Sequence, residues 1–132
     1  MSRENVEVVR QLMETLAGED PESALELLDP EVEFDQTARP DGEVWHGHEG
    51  VRRAMTQWIS AFDDWSIEVD RYVDVGADRA LVLWRERGRS RDTGLQLAQR
   101  GGTVYTVAGG RIVKMVAYLG HEEALEAVGL SE

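Results

Sequence analysis

Two histidines and a glutamate fall close together in the segment His46-Gly47-His48-Glu49. Imidazole and carboxylate groups bind zinc, but such sites use histidines four positions apart on a helix or add a distant third ligand. The remaining histidine, His121, precedes the last predicted helix and is interpreted as its cap. The ligand count is therefore too small, and we expect no metal site.

Other patterns that carry chemistry are missing from the sequence. The glycines of segment 88–94 are not followed by the Lys-Ser/Thr pair of a phosphate-binding loop. Ser60, Ser66 and Ser90 lack the strand–turn–helix context of a nucleophile elbow. The chain contains no cysteine, which excludes disulfides, thiolate ligands and cysteine nucleophiles. We therefore expect no cofactor.

The formal net charge of −12 limits the partners that this protein can bind. A negative field repels phosphate backbones and anionic lipid headgroups. Four arginines alternate between positions 85 and 91, but acidic residues flank them and no aromatic residues interleave them. No apolar run approaches membrane-spanning length, and residues 1–7 lack the apolar core of a signal peptide. We expect a cytoplasmic protein that binds neither nucleic acid nor membranes.

The spacing of apolar residues predicts the secondary structure. Three- and four-residue repeats predict helices at 2–17, 21–28, 51–62 and 121–128. Two-residue alternation predicts strands at 31–35, 65–75, 80–87, 95–108 and 111–119, the last four joined by hairpins. The pair Gly101-Gly102 favours a bulge or bend in the longest strand. Helices segregated from an antiparallel meander predict one α+β domain over residues 1–132, with helices covering one face of a curved sheet.

Residues 80–84 are apolar at both odd and even positions, so both faces of that strand are predicted to be buried. A chain of 132 residues has few elements with which to cover both faces of a sheet. We therefore predict a homodimer in which a second subunit covers the outer face.

Three segments carry patterns beyond simple periodicity. The segment from Trp45 to Arg52 has the form aromatic-x-Gly-x-x-Gly-Val-Arg, and Gly110 to Met115 begins Gly-Arg-Ile-Val. These segments and the C-terminal stretch from Tyr118 to Leu130 resemble the SnoaL-like branch of the nuclear-transport-factor-2-like superfamily. The resemblance covers nearly the whole chain. It implies a cone-shaped domain, usually a homodimer, in which a curved antiparallel sheet wraps around helices and a deep pocket. The superfamily contains both enzymes and binding-only members, so the fold does not settle the function.

The resemblance allows a comparison with ketosteroid isomerases, which need a carboxylate base and two oxyanion donors, a tyrosine and a protonated aspartic acid. It implies Leu12 at the tyrosine position, Thr103 at the acid position and Gln36 at the position of the base. Leucine donates no hydrogen bond and glutamine takes up no proton at neutral pH. We therefore expect no ketosteroid isomerase activity.

Polyketide cyclases of the same superfamily use a similarly placed acid or histidine on an acidic carbon. The resemblance implies Asp35 and His46 as the catalytic candidates here. Each has a simpler interpretation. Asp35 is also typical of a solvated acid at a strand edge, and His46 of a residue that hydrogen-bonds backbone where a helix begins.

The pocket lining follows from the resemblance together with strand alternation. The match on the last strand directs Met115 inward, and pairing with the preceding strand then directs Thr103 and Tyr105 inward. Two tryptophans are expected to close the pocket from the helix side. An inward Arg85 would need a partner, which could be a neighbour such as Glu86 (expected on the other face), Asp35 or an anionic ligand. The alternative is a core filled by these side chains. The candidate ligand-binding residues are Gln36, Trp45, Trp58, Arg85, Thr103, Tyr105 and Met115.

The sequence thus predicts a protein that binds a small apolar or mixed-polarity metabolite. One alternative is a cofactor-free lyase or isomerase with acid–base chemistry of the polyketide-cyclase type. Another is a non-catalytic dimeric interaction module whose pocket is filled. An empty cavity on the order of several hundred Å³ favours the first two over the third.

Overall fold

The computed structural model describes residues 2–17, 21–76 and 78–130. Within these ranges no helix is long and apolar enough to span a membrane. Three α-helices, one short 3-10 helix and six strands make up this part of the chain, which confirms the α+β class. Their order is α1 (Ser2–Ala17), the 3-10 helix (Pro21–Leu27), β1 (Leu28–Asp35), β2 (Val44–His46), α2 (Gly47–Ile59), β3 (Phe62–Asp74), β4 (Arg79–Ser90), β5 (Gln96–Ala108), β6 (Arg111–Tyr118) and α3 (His121–Ala127).

The strands form one sheet in the order β2-β1-β6-β5-β4-β3. β1 runs parallel to β6, and every other neighbouring pair is antiparallel. The predicted meander of four strands is confirmed as β3 to β6. β2 was not predicted, because three residues are too few for an alternating pattern to show. Register shifts between β1 and β6, within β3 and near Thr106 add twist and curvature to the sheet.

α1 and α2 pack on the concave face of the sheet. The helical repeat buries Val9, Leu12 and Met13 on one side of α1, and Val51 and Ala54 on one side of α2. These side chains share a core with the even-numbered positions of β4 and the inward positions of β5 and β6. Those strand residues are Ala80, Val82, Trp84, Tyr105, Val107, Ile112, Met115 and Ala117.

α3 packs on the opposite face of the sheet. Ala124 and Leu125 of this helix contact a second core that contains Leu81 and Leu83 of β4, together with Val104 of β5. The expectation that the helices cover one face only was therefore wrong. The strand that is apolar at both parities is covered on both sides by this chain itself, so it no longer requires a second subunit.

Of the bulge or bend expected at Gly101-Gly102, the bulge was wrong, because the pairing of β4 with β5 continues through both glycines without a register shift. These glycines instead permit close packing on both faces. A Cβ atom at Gly101 would lie 2.5 Å from Cη2 of Trp84, on the concave side. A Cβ atom at Gly102 would lie 2.5 Å from Cβ of Ala124, on the side of α3. Contacts this short do not occur between packed carbon atoms, so glycine is required at both positions.

Candidate functional site

A cavity of about 500 Å³ lies between the concave face of the sheet and the helices α1 and α2. Most of its lining is apolar, and β5 contributes the polar side chains Thr103 and Tyr105. Arg52 and Arg91 lie at its exposed rim, each in an ion pair with an acidic residue. The apolar lining consists of Leu12, Leu16, Ala24, Leu25, Leu28, Phe34, Val51, Met55, Ile59, Phe62, Trp65 and Met115.

The register of β5 with β6 places Thr103 opposite Ala117 and Tyr105 opposite Met115. The predicted inward face of these strands is therefore confirmed, and Thr103, Tyr105 and Met115 all line the cavity. The Thr103 hydroxyl accepts a hydrogen bond of 3.0 Å from Nε1 of Trp84. The Tyr105 phenol donates to Sδ of Met13 at 3.8 Å. A thioether is a weak acceptor, so a better acceptor in the cavity could take this hydrogen bond.

A second concavity, which we call the groove, lies beside the cavity and is open to solvent. It has a volume of about 630 Å³ and runs between the loop of residues 36–43, α2 and one end of the sheet. The predicted ligand-binding set is therefore divided, because Gln36, Trp45 and Trp58 line the groove rather than the cavity. The groove is lined by Gln36, Arg39, Pro40, Asp41, Gly42, Glu43, Trp45, Ala54, Gln57, Trp58, Gln99 and Leu119.

Asp35 and His46, the candidates for acid–base chemistry, line neither the cavity nor the groove. The Asp35 carboxylate accepts hydrogen bonds from the backbone N–H of Thr37 at 2.8 Å and from its hydroxyl at 2.6 Å. These two bonds lower the pKa of Asp35, although partial burial opposes them. His46 is exposed and occupies the N-cap of α2 without a side-chain capping bond. The placement of Asp35 matches its simpler interpretation, whereas the His46 side chain makes none of the capping hydrogen bonds to the start of α2 that its simpler interpretation predicts.

Arg85 also lies away from the cavity. It faces the outer side of β4, where Nε contacts Oδ1 of Asp70 at 2.6 Å and Nη2 contacts Oε2 of Glu68 at 3.1 Å. Two acidic residues of β3 thus neutralise this guanidinium. Arg85 therefore does not place a positive charge in the cavity.

The inward charge belongs to Glu86, one position further along β4, which is only 3% exposed. Its Oε2 accepts a hydrogen bond of 2.7 Å from Nε1 of Trp65 and another from Nε1 of Trp58. Its Oε1 accepts a bond of 2.6 Å from Nε2 of Gln99. Three donors from α2, β3 and β5 therefore satisfy both oxygens of a buried carboxylate.

A bulge in β3 directs Trp65 towards Glu86. The register shifts between Asp63 and Ser66, and Asp64 adopts a φ of +53°. Both Asp63 and Ser66 pair with outward-facing residues of β4, so without the extra residue Trp65 would face outward. Trp65 lines the cavity, whereas Trp58 and Gln99 line the groove. Glu86 thus joins the walls of the two spaces.

Two of the three histidines contact backbone carbonyl oxygens. Nε2 of His48 contacts the carbonyl oxygen of Leu28 at 2.8 Å, and Nε2 of His121 contacts that of Trp84 at 3.1 Å. In the part of the chain that the structure describes, no group of three or more histidine or acidic side chains could hold a metal ion.

A curved six-stranded sheet with helices and a cavity on its concave face defines a domain of the nuclear-transport-factor-2-like class. The SnoaL-like domain model matches residues 9–115, which include nearly all of the cavity and the groove, and the chain belongs to this family. No curated protein matches the sequence.

Solved structures share the fold at low sequence identity. Bal32a, from a soil-derived mobile gene cassette, superposes with a TM-score of 0.81 at 15% identity, covering 96% of this chain and 97% of that one. A protein proposed to be a SnoaL-like polyketide cyclase, from Jannaschia sp. CCS1, gives 0.77 at 18% identity over 88% and 85%. TerC, crystallised with polyporic acid, gives 0.76 at 16% identity over 95% and 98%. At these identities the similarity establishes the fold and not the activity.

The burial of Tyr105 predicts a specific dependence of stability on pH. Burial raises the pKa of this phenol above its usual value of about 10. The unfolded chain therefore loses this proton at lower pH than the native chain, and native stability falls as the pH rises above about 10. Tyr105→Phe removes this contribution. In urea unfolding, the loss of unfolding free energy between about pH 9 and pH 11 should be smaller in the variant by about 1 kcal/mol. Equal losses in both proteins would contradict the burial of the phenol.

Proposed function

We propose that this protein binds a small, mainly apolar metabolite in the cavity and orients it through the Tyr105 phenol. The cavity itself carries the proposal. Its volume of about 500 Å³ lies within the range of small-molecule sites, whereas an interaction module would fill this space with side chains. Apolar lining with a few polar groups is the arrangement that such sites use to combine affinity with orientation.

Tyr105 is the orienting group because its hydroxyl donates only to a weak acceptor. The phenol donates to the Met13 thioether at 3.8 Å, and a ligand carbonyl would replace this contact with a normal hydrogen bond. Thr103 supports the phenol from the same strand face, since its hydroxyl is already oriented by Trp84. A carbonyl on a largely hydrocarbon skeleton fits this combination.

The charges at the rim favour an uncharged ligand over a carboxylate. Arg52 makes two hydrogen bonds to Glu22, of 2.9 and 2.8 Å, and contacts Glu49 at 2.5 Å. Arg91 contacts Asp63 at 2.9 Å. An anionic ligand would have to displace carboxylates that already neutralise these guanidinium groups, whereas a ketone would not.

The positions of the candidate catalytic residues support binding rather than acid–base catalysis. Asp35 and His46 lie outside the cavity. Among the described residues that line it, the one carboxylate is Glu22, which is exposed at the rim and paired with Arg52. A lyase or isomerase reaction in the cavity would need a base within hydrogen-bonding reach of the substrate.

Benzophenone and diphenylmethane form a matched pair of probes, because they differ by one carbonyl group. Titration of tryptophan fluorescence should show saturable binding of both, since Trp65 lines the cavity. The ketone should bind about fivefold or more tightly, as one uncharged hydrogen bond contributes about 1 kcal/mol. Tyr105→Phe should abolish this preference without abolishing binding.

Tyr72→Phe is the matched control, because Tyr72 lies on β3, outside the residues that line the cavity. It should leave the preference for the ketone intact. Failure of both probes to bind would refute the apolar site. Binding with equal preference in the wild type and in Tyr105→Phe would refute the role of the phenol.

The homodimer and the cytoplasmic location remain proposals. The apolar strand that motivated the dimer is covered by α3, so the support that remains is the resemblance to a superfamily of dimers. Sedimentation equilibrium at micromolar concentration should give twice the 14.8 kDa of one chain. A single species at the monomer mass would contradict the homodimer.

A further inference from the structure

The groove contains a cation that belongs to the protein itself. The guanidinium carbon of Arg39 lies 3.8 Å from the centroid of the Trp58 ring, which is a close cation–π contact. Within the described residues, the structure gives this guanidinium no hydrogen bond and no ion pair. The face of the Trp58 indole ring is therefore the principal partner of the guanidinium. The Arg39 side chain is only partly exposed.

Glu86 makes the Trp58 ring a better partner for a cation. The indole N–H donates to the buried Glu86 carboxylate, which draws positive charge to the ring edge and leaves the ring face more negative. The carboxylate also acts on Arg39 through space, since it opposes the lowering of the Arg39 pKa by burial. The polarised Trp58 ring and the Glu86 carboxylate behind it both favour a cation on the ring face.

Apart from Arg39, the charged residues that line the groove are acidic, like Glu86. Asp41 and Glu43 lie in its lining, and Arg39 is the one cationic residue among the described lining residues. The net charge of the whole chain is −12. A small cation is therefore attracted to the groove by both the local and the overall field.

Arg39 can leave the ring without unfolding the loop that carries it. Three backbone hydrogen bonds of 3.0 Å close this loop: Gln36 to Glu43, Arg39 to Gln36, and Gly42 to Arg39, named from donor to acceptor. The close approach of Gly42 to the carbonyl of Gln36 leaves no room for a Cβ atom, so the loop is tightly closed. Rotation of the Arg39 side chain alone would expose the face of Trp58.

We propose that the groove is a binding site for small organic cations of the quaternary ammonium class, and that Arg39 occupies the site of such a ligand in its absence. The ligand would lie on the Trp58 ring, with Trp45 on the same groove wall and Glu86 behind the ring. This site is separate from the apolar cavity and does not depend on the function proposed there. The pair of a polarised indole and a removable internal cation carries the inference.

Choline and its uncharged isostere 3,3-dimethylbutan-1-ol are the probes, because they have nearly the same shape and differ in charge. Two-dimensional NMR of the indole N–H groups should show a saturable shift of the Trp58 signal with choline and none with the alcohol. Arg39→Gln removes the internal competitor and should tighten choline binding about fivefold, as expected for a cation–π contact of moderate strength. The Trp58 signal is assigned with Trp58→Phe.

Arg53→Gln is the matched control, since it removes the same charge from an exposed position on α2 outside the groove. It should leave choline affinity within about twofold of the wild type, the change that one distant, screened charge produces. Equal binding of choline and the alcohol would overturn the proposal. So would equal choline affinities in the Arg39→Gln and Arg53→Gln variants, or an indole signal of Trp58 that does not respond to choline in either variant.

Discussion

Glu86 places a carboxylate on the concave face of β4, where burial would be costly for an unpartnered charge. Trp58, Trp65 and Gln99 supply the three hydrogen bonds that make this burial possible. The donors come from α2, β3 and β5, so one side chain joins a helix to three neighbouring strands. Hydrogen bonds to a charged group are stronger than neutral ones, and a fully satisfied buried network fixes the arrangement of its members.

Members of this network line both concave spaces. The bulge at Asp64 directs Trp65 inward, and the Trp65 ring then lines the apolar cavity. Trp58 is held by the same carboxylate oxygen but presents its face to the groove, where Arg39 covers it. The wall between an apolar space and a polar one is thus built from two tryptophans whose polar edges meet at one acid.

Much of the fold could be predicted from the sequence, because long apolar repeats determine α1, α2 and the strands β3 to β6. The lining by Thr103, Tyr105 and Met115 followed from the resemblance, which directs Met115 inward, together with alternation across a short hairpin. The network could not be predicted, since β4 is apolar at both parities and alternation there does not distinguish Arg85 from Glu86. Trp58 lies 28 positions from Glu86, and the orientation of Trp65 depends on a bulge that alternation does not anticipate. The close packing that requires glycine at positions 101 and 102 could not be predicted, because the contacting residues are distant in sequence.

The stability of Glu86→Gln, measured by urea unfolding beside Glu68→Gln, tests the central role of this carboxylate most directly. Both changes remove one negative charge from the same sheet, but Glu68 lies exposed on its outer face. Glutamine at position 86 would retain only one acceptor oxygen. Its amide NH₂ group would face N–H groups that now donate to the carboxylate, and two donors form no hydrogen bond with each other. The unfolding free energy of Glu86→Gln should fall by about 2 kcal/mol, whereas Glu68→Gln should change it by less than about 1 kcal/mol. Equal stabilities of the two variants would show that the network around Glu86 does not hold the site together.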